Sequence, residues 1–255
     1  MREVFQLAYR LGELQRWLTK AGSPVAPRDF DDGIYTVDPS SSSEWPSQSR
    51  NRIEQFGSRS EATEAGLDHA LENYREDGIP YAFLFATPGD QEAEIARWSH
   101  ARGMVARVHL DVLVHRLGKI PETECEFRIA EIHDVTTLRK VSPVSHWTAT
   151  TERLLNSPGV HVFGAFHQDE AVGIGNLYLH EGAAYFGGGF VKEAFRRRGG
   201  QSALLSARLR LARAAGADVA FSETYGFLKS SLTNLERAGF QHAFDRKIWT
   251  KAFAV

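Results

Sequence analysis

The segment that most constrains this chain runs from Phe195 to Leu205 and reads FRRRGGQSALL. Three arginines lead into two glycines, and the pattern of a long helix starts immediately afterwards. Ahead of it, residues 183–191 have the composition of a β-strand. Glycines let the backbone approach a ligand closely, and the first N–H groups of a helix have no intrahelical partner and favour an anion. The order strand, glycine turn, helix therefore predicts a site for a phosphate-bearing ligand, to which the arginines add positive charge.

The two commonest phosphate motifs do not fit this segment. The chain has no G-x-x-x-x-G-K-[ST] sequence, which argues against a P-loop. Residues 187–192 read GGGFVK rather than G-x-G-x-x-G, so the fingerprint of a dinucleotide-binding fold is missing as well. A nucleotide-binding protein of another kind stays open as a minor alternative.

The segment resembles instead the pyrophosphate loop of the GNAT superfamily of acyl-CoA-dependent N-acyltransferases, Q/R-x-x-G-x-G/A. Arg196 takes the Q/R position and Gly199 the first glycine, whereas Gln201 departs from the small residue of the pattern. Val191 precedes the loop at the spacing of the family's strand end. Residues 234–240, NLERAGF, resemble the family's helix followed by Gly-Phe. Two such signals in the right order make the resemblance specific.

Length and composition set the limits of the interpretation. A chain of 255 residues forms one large or two small domains, and 42% hydrophobic with 24% charged residues is typical of a globular protein. The net charge of −2 argues against nucleic acid as a partner. No apolar run reaches the about 20 residues of a membrane span, and the N-terminus lacks the apolar stretch of a signal peptide. These features predict a cytoplasmic protein that binds neither nucleic acid nor membrane.

Metal and disulfide chemistry have little support in the sequence. Cys125 is the single cysteine, which excludes an intrachain disulfide and a C-x-x-C metal site. The ten histidines show neither H-x-x-x-H nor H-E-x-x-H spacing. We therefore expect no metal.

The hydrophobic periodicity predicts an alternation of helices and strands. Helices are predicted at 3–20, 60–77, 92–100, 134–140, 200–215 and 230–238, and strands at 33–37, 81–86, 104–117, 127–132, 160–166, 171–179, 183–191 and 217–222, with the final strands within 240–253. The resemblance implies an α/β protein of the mixed-sheet, α+β type with the GNAT acyl-CoA N-acyltransferase fold.

A proline and several charges at residues 119–124 mark a predicted domain boundary. The domains are then 1–120, an α/β domain, and 126–255, a GNAT acetyltransferase domain. Two interpretations of the N-terminal half stay open: a degenerate GNAT-like domain, which makes the protein a tandem, and an unrelated α/β cap.

The resemblance implies how acetyl-CoA binds as the co-substrate. Strands 183–191 and 217–222 splay apart, and the pantetheine arm lies in the gap. The implied contacts are backbone N–H groups near Phe190 and Val191 for pantetheine, the loop residues Arg196, Arg197, Arg198, Gly199, Gly200, Gln201 and Ser202 for the phosphates, and Asn234 on the cofactor side. The backbone N–H serves at position 201, and the glutamine side chain is expected to point outward.

The implied reaction is direct attack of an amine on the thioester in a ternary complex. Glu223, at the end of the strand after the main helix, is the predicted general base, acting directly or through water. Thr224 and Tyr225 are predicted to line the acceptor pocket, and His180, Glu181 and Tyr185 are weaker candidates. Many GNAT enzymes use a tyrosine four residues before the Gly of Gly-Phe as the acid, but Leu235 stands there in this chain.

The resulting prediction is an N-acetyltransferase that acetylates a primary amine, either a small molecule or a peptide. The missing tyrosine and the degenerate N-terminal half keep an alternative open, a non-catalytic acyl-CoA sensor or assembly module. Monomer and homodimer are both compatible with the sequence, and the acceptor is not defined by it, because acceptor pockets are built from loops that vary on a shared fold.

Overall fold

The computed structural model describes residues 2–23, 25–30, 33–46, 49–57, 61–89, 91–141 and 146–253, with the side chains of all of these except Phe30 and residues 146–149. The chain divides into two compact units, Met1–Asp111 with Phe244–Val255, and Val112–Ala243. Both units combine helices and strands, which confirms the predicted mixed α/β class. These units are defined by packing within the structure and do not test the predicted domains. The domains 1–120 and 126–255 therefore stay a prediction.

The first unit contains three helices and a small mixed sheet. Its helices are α1 (Arg2–Gly22), α2 (Glu64–Glu76) and α3 (Glu92–Ala101), and its strands are β1 (Arg28–Phe30), β2 (Gly33–Tyr35), β3 (Arg52–Glu54), β4 (Tyr81–Ala86), the first part of β5 (Val105–His115) and most of the last strand, β11 (Gln241–Ala252). The strand order β1-β2-β3-β4-β11 has one parallel pair, β3 with β4. Helix α1 is amphipathic and buries Leu7, Leu11, Leu14 and Leu18 at helical spacing.

The second unit contains the arginine-glycine segment. Its elements are β6 (Arg128–Glu131), α4 (Val135–Val141), α5 (His146–Leu154), β7 (Val160–His167), β8 (Glu170–His180), β9 (Ala183–Val191), a 3₁₀ turn (Glu193–Phe195), α6 (Gly200–Ala214), β10 (Val219–Tyr225) and α7 (Lys229–Arg237). The strand order is β10-β9-β8-β7-β6. All neighbours are antiparallel except β10 with β9, because α6 forms the crossover between these two strands.

Helices cover both faces of this sheet. On one face, Leu204, Leu205 and Leu209 of α6 pack with Leu177 of β8 and Phe186 of β9 in the main core. On the other face, Leu138 and Val141 of α4 pack with Ile174 of β8. Side chains along a strand alternate between faces, so each residue of β8 to β10 belongs either to the α6 side or to the α4–α5 side.

Most predicted elements are present, with shifts at their ends. The strands predicted at 81–86 and 183–191 have the same bounds in the structure, and the helix predicted at 200–215 ends at Ala214. Helix α5 and the three-residue strands β1 and β3 escaped prediction. Strands as short as these two depend on their partners in the sheet. The final strands predicted within 240–253 are a single strand, β11 (Gln241–Ala252). No helix of the described residues is both long and apolar enough to cross a membrane.

Candidate functional site

A gap opens between the parallel strands β9 and β10. Their pairing runs from Val219–Ala183 to Ser222–Phe186 and stops there. Strand β9 nevertheless continues to Val191 and β10 to Tyr225. The two ends therefore splay, as the resemblance implied, and leave backbone groups of β9 without a strand partner on that side. An extended ligand can pair with such an edge in the manner of an added strand.

A β-bulge lies in β9 at the same place. Ile174 pairs with Phe190 and Asn176 with Gly187, so Gly175 of β8 faces both Gly188 and Gly189 of β9. Gly188 has φ +58°, a backbone conformation that residues other than glycine rarely adopt. Both of these glycines are exposed. The bulge therefore presents bare backbone at the splay, next to the predicted contacts at Phe190 and Val191.

The arginine-glycine segment forms the turn from β9 into α6. Gly199 is the N-cap of α6 with φ +81°, and no side chain caps the helix. The first intrahelical bond joins Ala203 N to Gly199 O at 2.9 Å, so the N–H groups of Gly200, Gln201 and Ser202 precede it. An uncapped N-terminus of this kind favours an anion.

The three arginines of the turn are exposed. The Nε of Arg196 donates a hydrogen bond to Val191 O at 3.1 Å, which ties the turn to the end of β9. Arg198 lies over the ring of Phe195, and its Nη1 is 3.6 Å from Glu126 Oε2. Basic side chains at a helix N-terminus oppose the helix dipole, so this arrangement is favourable mainly with an anion present.

Packing alone restricts both loop glycines. A Cβ at Gly199 would lie 2.8 Å from Glu124 O, and one at Gly200 would lie 3.1 Å from the Phe127 ring. The segment before β6 therefore packs directly on the turn. Cys125 belongs to this segment, is partly buried, and donates from Sγ to Phe127 O at 3.2 Å.

Gln201, the departure from the GNAT pattern, does not point outward as expected. Its side chain is partly buried, and its Nε2 lies 2.8 Å from where a Cβ on Gly189 would be. The carboxamide thus rests over the bulge of β9. The absence of a side chain at Gly189 allows this contact, and sequence spacing alone does not reveal it.

Glu223 is the first residue of β10 beyond the last paired residue, Ser222. Its side chain is partly buried, and its Oε2 accepts a hydrogen bond of 3.0 Å from the hydroxyl of Tyr185 on β9. Tyr185 is buried and stacks on Tyr178 with ring centroids 6.3 Å apart. The predicted base and one of the weaker candidates, Tyr185, therefore lie together at the root of the splay.

A buried polar row continues from Tyr185 on the α4–α5 side. Asn176 Nδ2 is 2.9 Å from Thr151 Oγ1 of α5 and 3.2 Å from the Tyr178 hydroxyl. Burial raises the pKa of Tyr178, so its hydroxyl stays protonated at neutral pH. The Oδ1 of Asn176 is buried, and no described residue hydrogen-bonds to it. The row brings polar groups to the face on which Glu223 lies.

The remaining candidates for the acceptor side are distributed differently. His180 is the last residue of β8 and Glu181 lies in the turn that follows, at the end of β9 opposite to the splay. Thr224 is buried and by strand alternation lies on the face opposite to Glu223. Tyr225 is partly buried and stacks on Phe227, which is 57% exposed, with ring centroids 5.2 Å apart. Of the predicted lining residues, Tyr225 therefore stays near the open end.

Helix α7 contains the last two residues of interest. Asn234 is partly buried, and among the described residues its side chain has no hydrogen-bond partner, so its predicted cofactor contact stays a prediction. Leu235, in place of the family's tyrosine, is buried in the main core with Leu204 and Phe240. An aliphatic side chain in this core has no proton to donate.

Three potential metal ligands lie close together in the first unit. One ligand atom from each of His109, Asp111 and Asp245 lies within 4.8 Å of the others. Exposed groups of this kind are common without a metal, so the prediction that the protein needs no metal stays untested.

Two residues of the second unit escaped sequence reasoning although a signal was available. Asn176 is the single amide in the apolar run of β8. Arg208 lies on the apolar side of α6, four residues after Leu204 and four before Ala212, and is buried. A polar residue at a core position of an otherwise regular pattern indicates a specific partner.

The chain is similar to known proteins in both sequence and fold. Residues 127–248 match the family model described as Acetyltransferase (GNAT) family. No curated protein matches the chain in sequence. A GCN5-related N-acetyltransferase from Kribbella flavida is 13% identical, covers 97% of this chain and 96% of its own, and has a TM-score of 0.66.

Two further solved structures share the fold. A GCN5-related N-acetyltransferase from Sphaerobacter thermophilus is 13% identical, covers 96% of this chain and 92% of its own, and has a TM-score of 0.57. A tandem GNAT protein from the clavulanic acid biosynthesis pathway is 14% identical, covers 74% of this chain and 69% of its own, and has a TM-score of 0.55. The likenesses confirm the GNAT fold. The first two also extend over the N-terminal half, which therefore shares its fold with these structures.

Proposed function

We propose that this protein is an N-acetyltransferase that moves an acetyl group from acetyl-CoA to a primary amine. The match of residues 127–248 to the acetyltransferase (GNAT) family model supports this proposal. The acceptor is a small molecule or a peptide. The family makes the protein an acyltransferase, whereas the acyl donor, the amine and the direct attack are our proposals.

One observation carries the proposal: the splay between β9 and β10 opens beside the uncapped N-terminus of α6. A ligand with an extended arm and a diphosphate fits both features at once. The exposed backbone at Gly188 and Gly189 offers hydrogen bonds to the arm, and the first N–H groups of α6 with Arg196–Arg198 offer an anion site. A simple nucleotide would use only the second feature.

The residues of the splay suit an amine acceptor. Acetyl-CoA supplies an activated thioester, and the amine nitrogen bonds to its carbonyl carbon as the carbon–sulfur bond breaks. Glu223 takes the proton from the amine nitrogen, and Tyr185 holds the carboxylate in place through its hydrogen bond. Since Leu235 has no proton to donate, water protonates the leaving thiolate. Holding both substrates in line provides most of the acceleration.

Isothermal titration calorimetry of the whole protein with acetyl-CoA, CoA and ATP tests the donor. We expect acetyl-CoA and CoA to bind and ATP to bind far more weakly. The double variant Arg197→Glu/Arg198→Glu should abolish binding, because two charges at the diphosphate site are reversed. Arg210→Glu makes the same change on an exposed part of α6 and should bind normally. Equal binding of acetyl-CoA and ATP would refute the proposal.

Acceptor-dependent release of CoA thiol, followed with a panel of primary amines, tests the transfer. One alternative, a non-catalytic acyl-CoA-binding module, is favoured by the core position of Leu235, which leaves the usual acid without a counterpart. Binding without thiol release for any amine, small or peptidic, would select that alternative. We also propose that the protein is located in the cytoplasm and binds neither nucleic acid nor membrane. Sedimentation would distinguish a monomer from a homodimer.

A further inference from the structure

Of the parts of the proposed acyl-CoA site, the bulge of β9 depends most on neighbouring residues to hold its conformation. Between the pairs Ile174–Phe190 and Asn176–Gly187, the single residue Gly175 of β8 faces two residues of β9. A bulge interrupts the regular ladder, and two successive glycines offer no side-chain packing to hold it. Something outside the ladder has to keep this backbone in one conformation.

Arg208 of α6 lies directly beneath the interruption. It is 2% exposed, its Nη1 donates to Asn176 O at 3.1 Å, and its Nε donates to Leu204 O at 3.0 Å. The guanidinium also lies 4.8 Å from the centre of the Phe186 ring, at the last paired residue of β9 before the splay. One side chain therefore connects the helix that starts at the anion site with the strand that faces the bulge.

The neighbouring strand leaves room for this side chain. A Cβ at Gly175 would lie 2.7 Å from Arg208 Cζ and 2.9 Å from its Nε. Any residue larger than glycine at position 175 would push the guanidinium from its place. The glycine of β8 thus fits the arginine of α6, and the two residues form one structural device.

Judged by its effect on folding stability alone, burying the Arg208 guanidinium in this way is unfavourable. Burial is the single cause that acts on the pKa of Arg208, which it lowers to about 9, and no carboxylate of the described residues raises that pKa. A buried cation without a counter-ion loses its hydration, and an apolar residue of similar size fills the same space without that loss. The guanidinium does what an apolar residue cannot: its N–H groups bond to carbonyls of the helix and of β8.

We propose that Arg208 is a positioning residue for the acyl-CoA site, which holds the β9 bulge at a set distance from the N-terminus of α6. Gly188 and Gly189 then present their backbone to the arm of the ligand while the arginine turn holds its diphosphate. The inference rests on the proposed function, because it assigns a role in binding the same ligand.

The test compares Arg208→Met, Arg208→Lys and Gly175→Ala with Arg210→Met, a matched change at an exposed position of the same helix. The Kd of the whole protein for acetyl-CoA is measured by calorimetry. We expect about a tenfold or greater increase in Kd for Arg208→Met and Gly175→Ala, a smaller increase for Arg208→Lys, and no change for Arg210→Met. The KM for the amine should stay within about twofold in all four variants, since a general loss of structure would raise both constants.

Hydrogen exchange at residues 187–191 provides a readout that does not need the ligand. Faster exchange at these residues in the Arg208 and Gly175 variants, with unchanged exchange in β7, is the expected result. If Arg208→Met does not fold, Arg208→Lys and Gly175→Ala decide the question. Unchanged exchange and unchanged Kd in folded variants would overturn the inference while the proposed function stands. If the unaltered protein does not bind acetyl-CoA, the proposed function fails, and this inference fails with it.

Discussion

The hydroxyl of Tyr185 on β9 donates a hydrogen bond to Glu223 Oε2 on β10 over 3.0 Å, at the point where the two strands part. The bond ties together the last paired part of the two strands and the one carboxylate proposed to act in catalysis. Its position makes it the natural start for testing the chemistry of the site.

Removing the Tyr185 hydroxyl should slow transfer without weakening acetyl-CoA binding. A hydrogen bond to a charged group contributes about 1.5–3 kcal/mol, so Tyr185→Phe is expected to lower kcat by about tenfold or more. Steady-state kinetics with a saturating donor measures this. Tyr178→Phe removes a buried hydroxyl that has no bond to Glu223 and should have a smaller effect. Equal losses in both variants would contradict the special role of Tyr185.

Replacing the proposed base should affect chemistry more strongly. Glu223→Gln keeps the shape of the side chain and removes its ability to take a proton, so kcat should fall by about 10²–10³-fold. The Kd for acetyl-CoA, measured by calorimetry, should stay within about twofold. Glu181→Gln, in the turn at the far end of β9, provides the control and should leave kcat unchanged. Full activity of Glu223→Gln would remove Glu223 from the mechanism.

The two ends of α6 provide a matched pair for the packing of the arginine turn. Gly199 and Gly216 both have φ +81°, but a Cβ would lie 2.8 Å from Glu124 O at the first position and would meet nothing within 4 Å at the second. Gly216→Ala should therefore lose about 1 kcal/mol of unfolding free energy from backbone strain alone. Gly199→Ala should lose about 1–3 kcal/mol more from the clash. Urea unfolding measures both, and equal losses would show that the turn adapts freely.

His115 should make the stability of the protein depend on pH. Burial lowers its pKa below the ordinary 6.5, and the neutral ring accepts a hydrogen bond from Leu117 N at 2.8 Å. Below pH 6.5 the unfolded chain binds a proton that the folded ring resists, so stability is lost as the pH falls from 6.5 toward the lower folded pKa.

The measurement for His115 is urea unfolding at pH 7.5 and pH 5.5. The unaltered protein should lose up to about 1 kcal/mol more over this interval than His115→Gln, which has no titrating ring. The same pH dependence in both proteins would place its origin in other groups.

The local part of the site could be predicted because it is contiguous. The loop residues from Arg196 to Ser202 are neighbours in sequence, and their chemistry follows from residue type and from the helix that starts there. The bounds of β9 were predictable for the same reason, since an apolar run between two turns defines a strand by itself.

Contacts across the sheet could not be predicted in this way. The predicted orientation of the Gln201 side chain was wrong, because the open space over Gly189 exists only once β9 and α6 are packed. Strand alternation separates Thr224 from Glu223, and both His180, the last residue of β8, and Glu181 lie at the far end of β9. The contact between Tyr185 and Glu223 depends on the register of β9 against β10, which a single strand does not specify.

The sequence by itself determined the fold and pointed to the turn proposed to bind an anion and to the candidate base, because each depends on residues that are adjacent or regularly spaced along the chain. Only the tertiary structure decided where β9 leaves β10, that Tyr185 meets Glu223, and that Arg208 reaches Asn176. The physical reason is that these partners are separated by more than thirty residues in the chain, and only the packing of α6 and the pairing of strands bring them into hydrogen-bond distance.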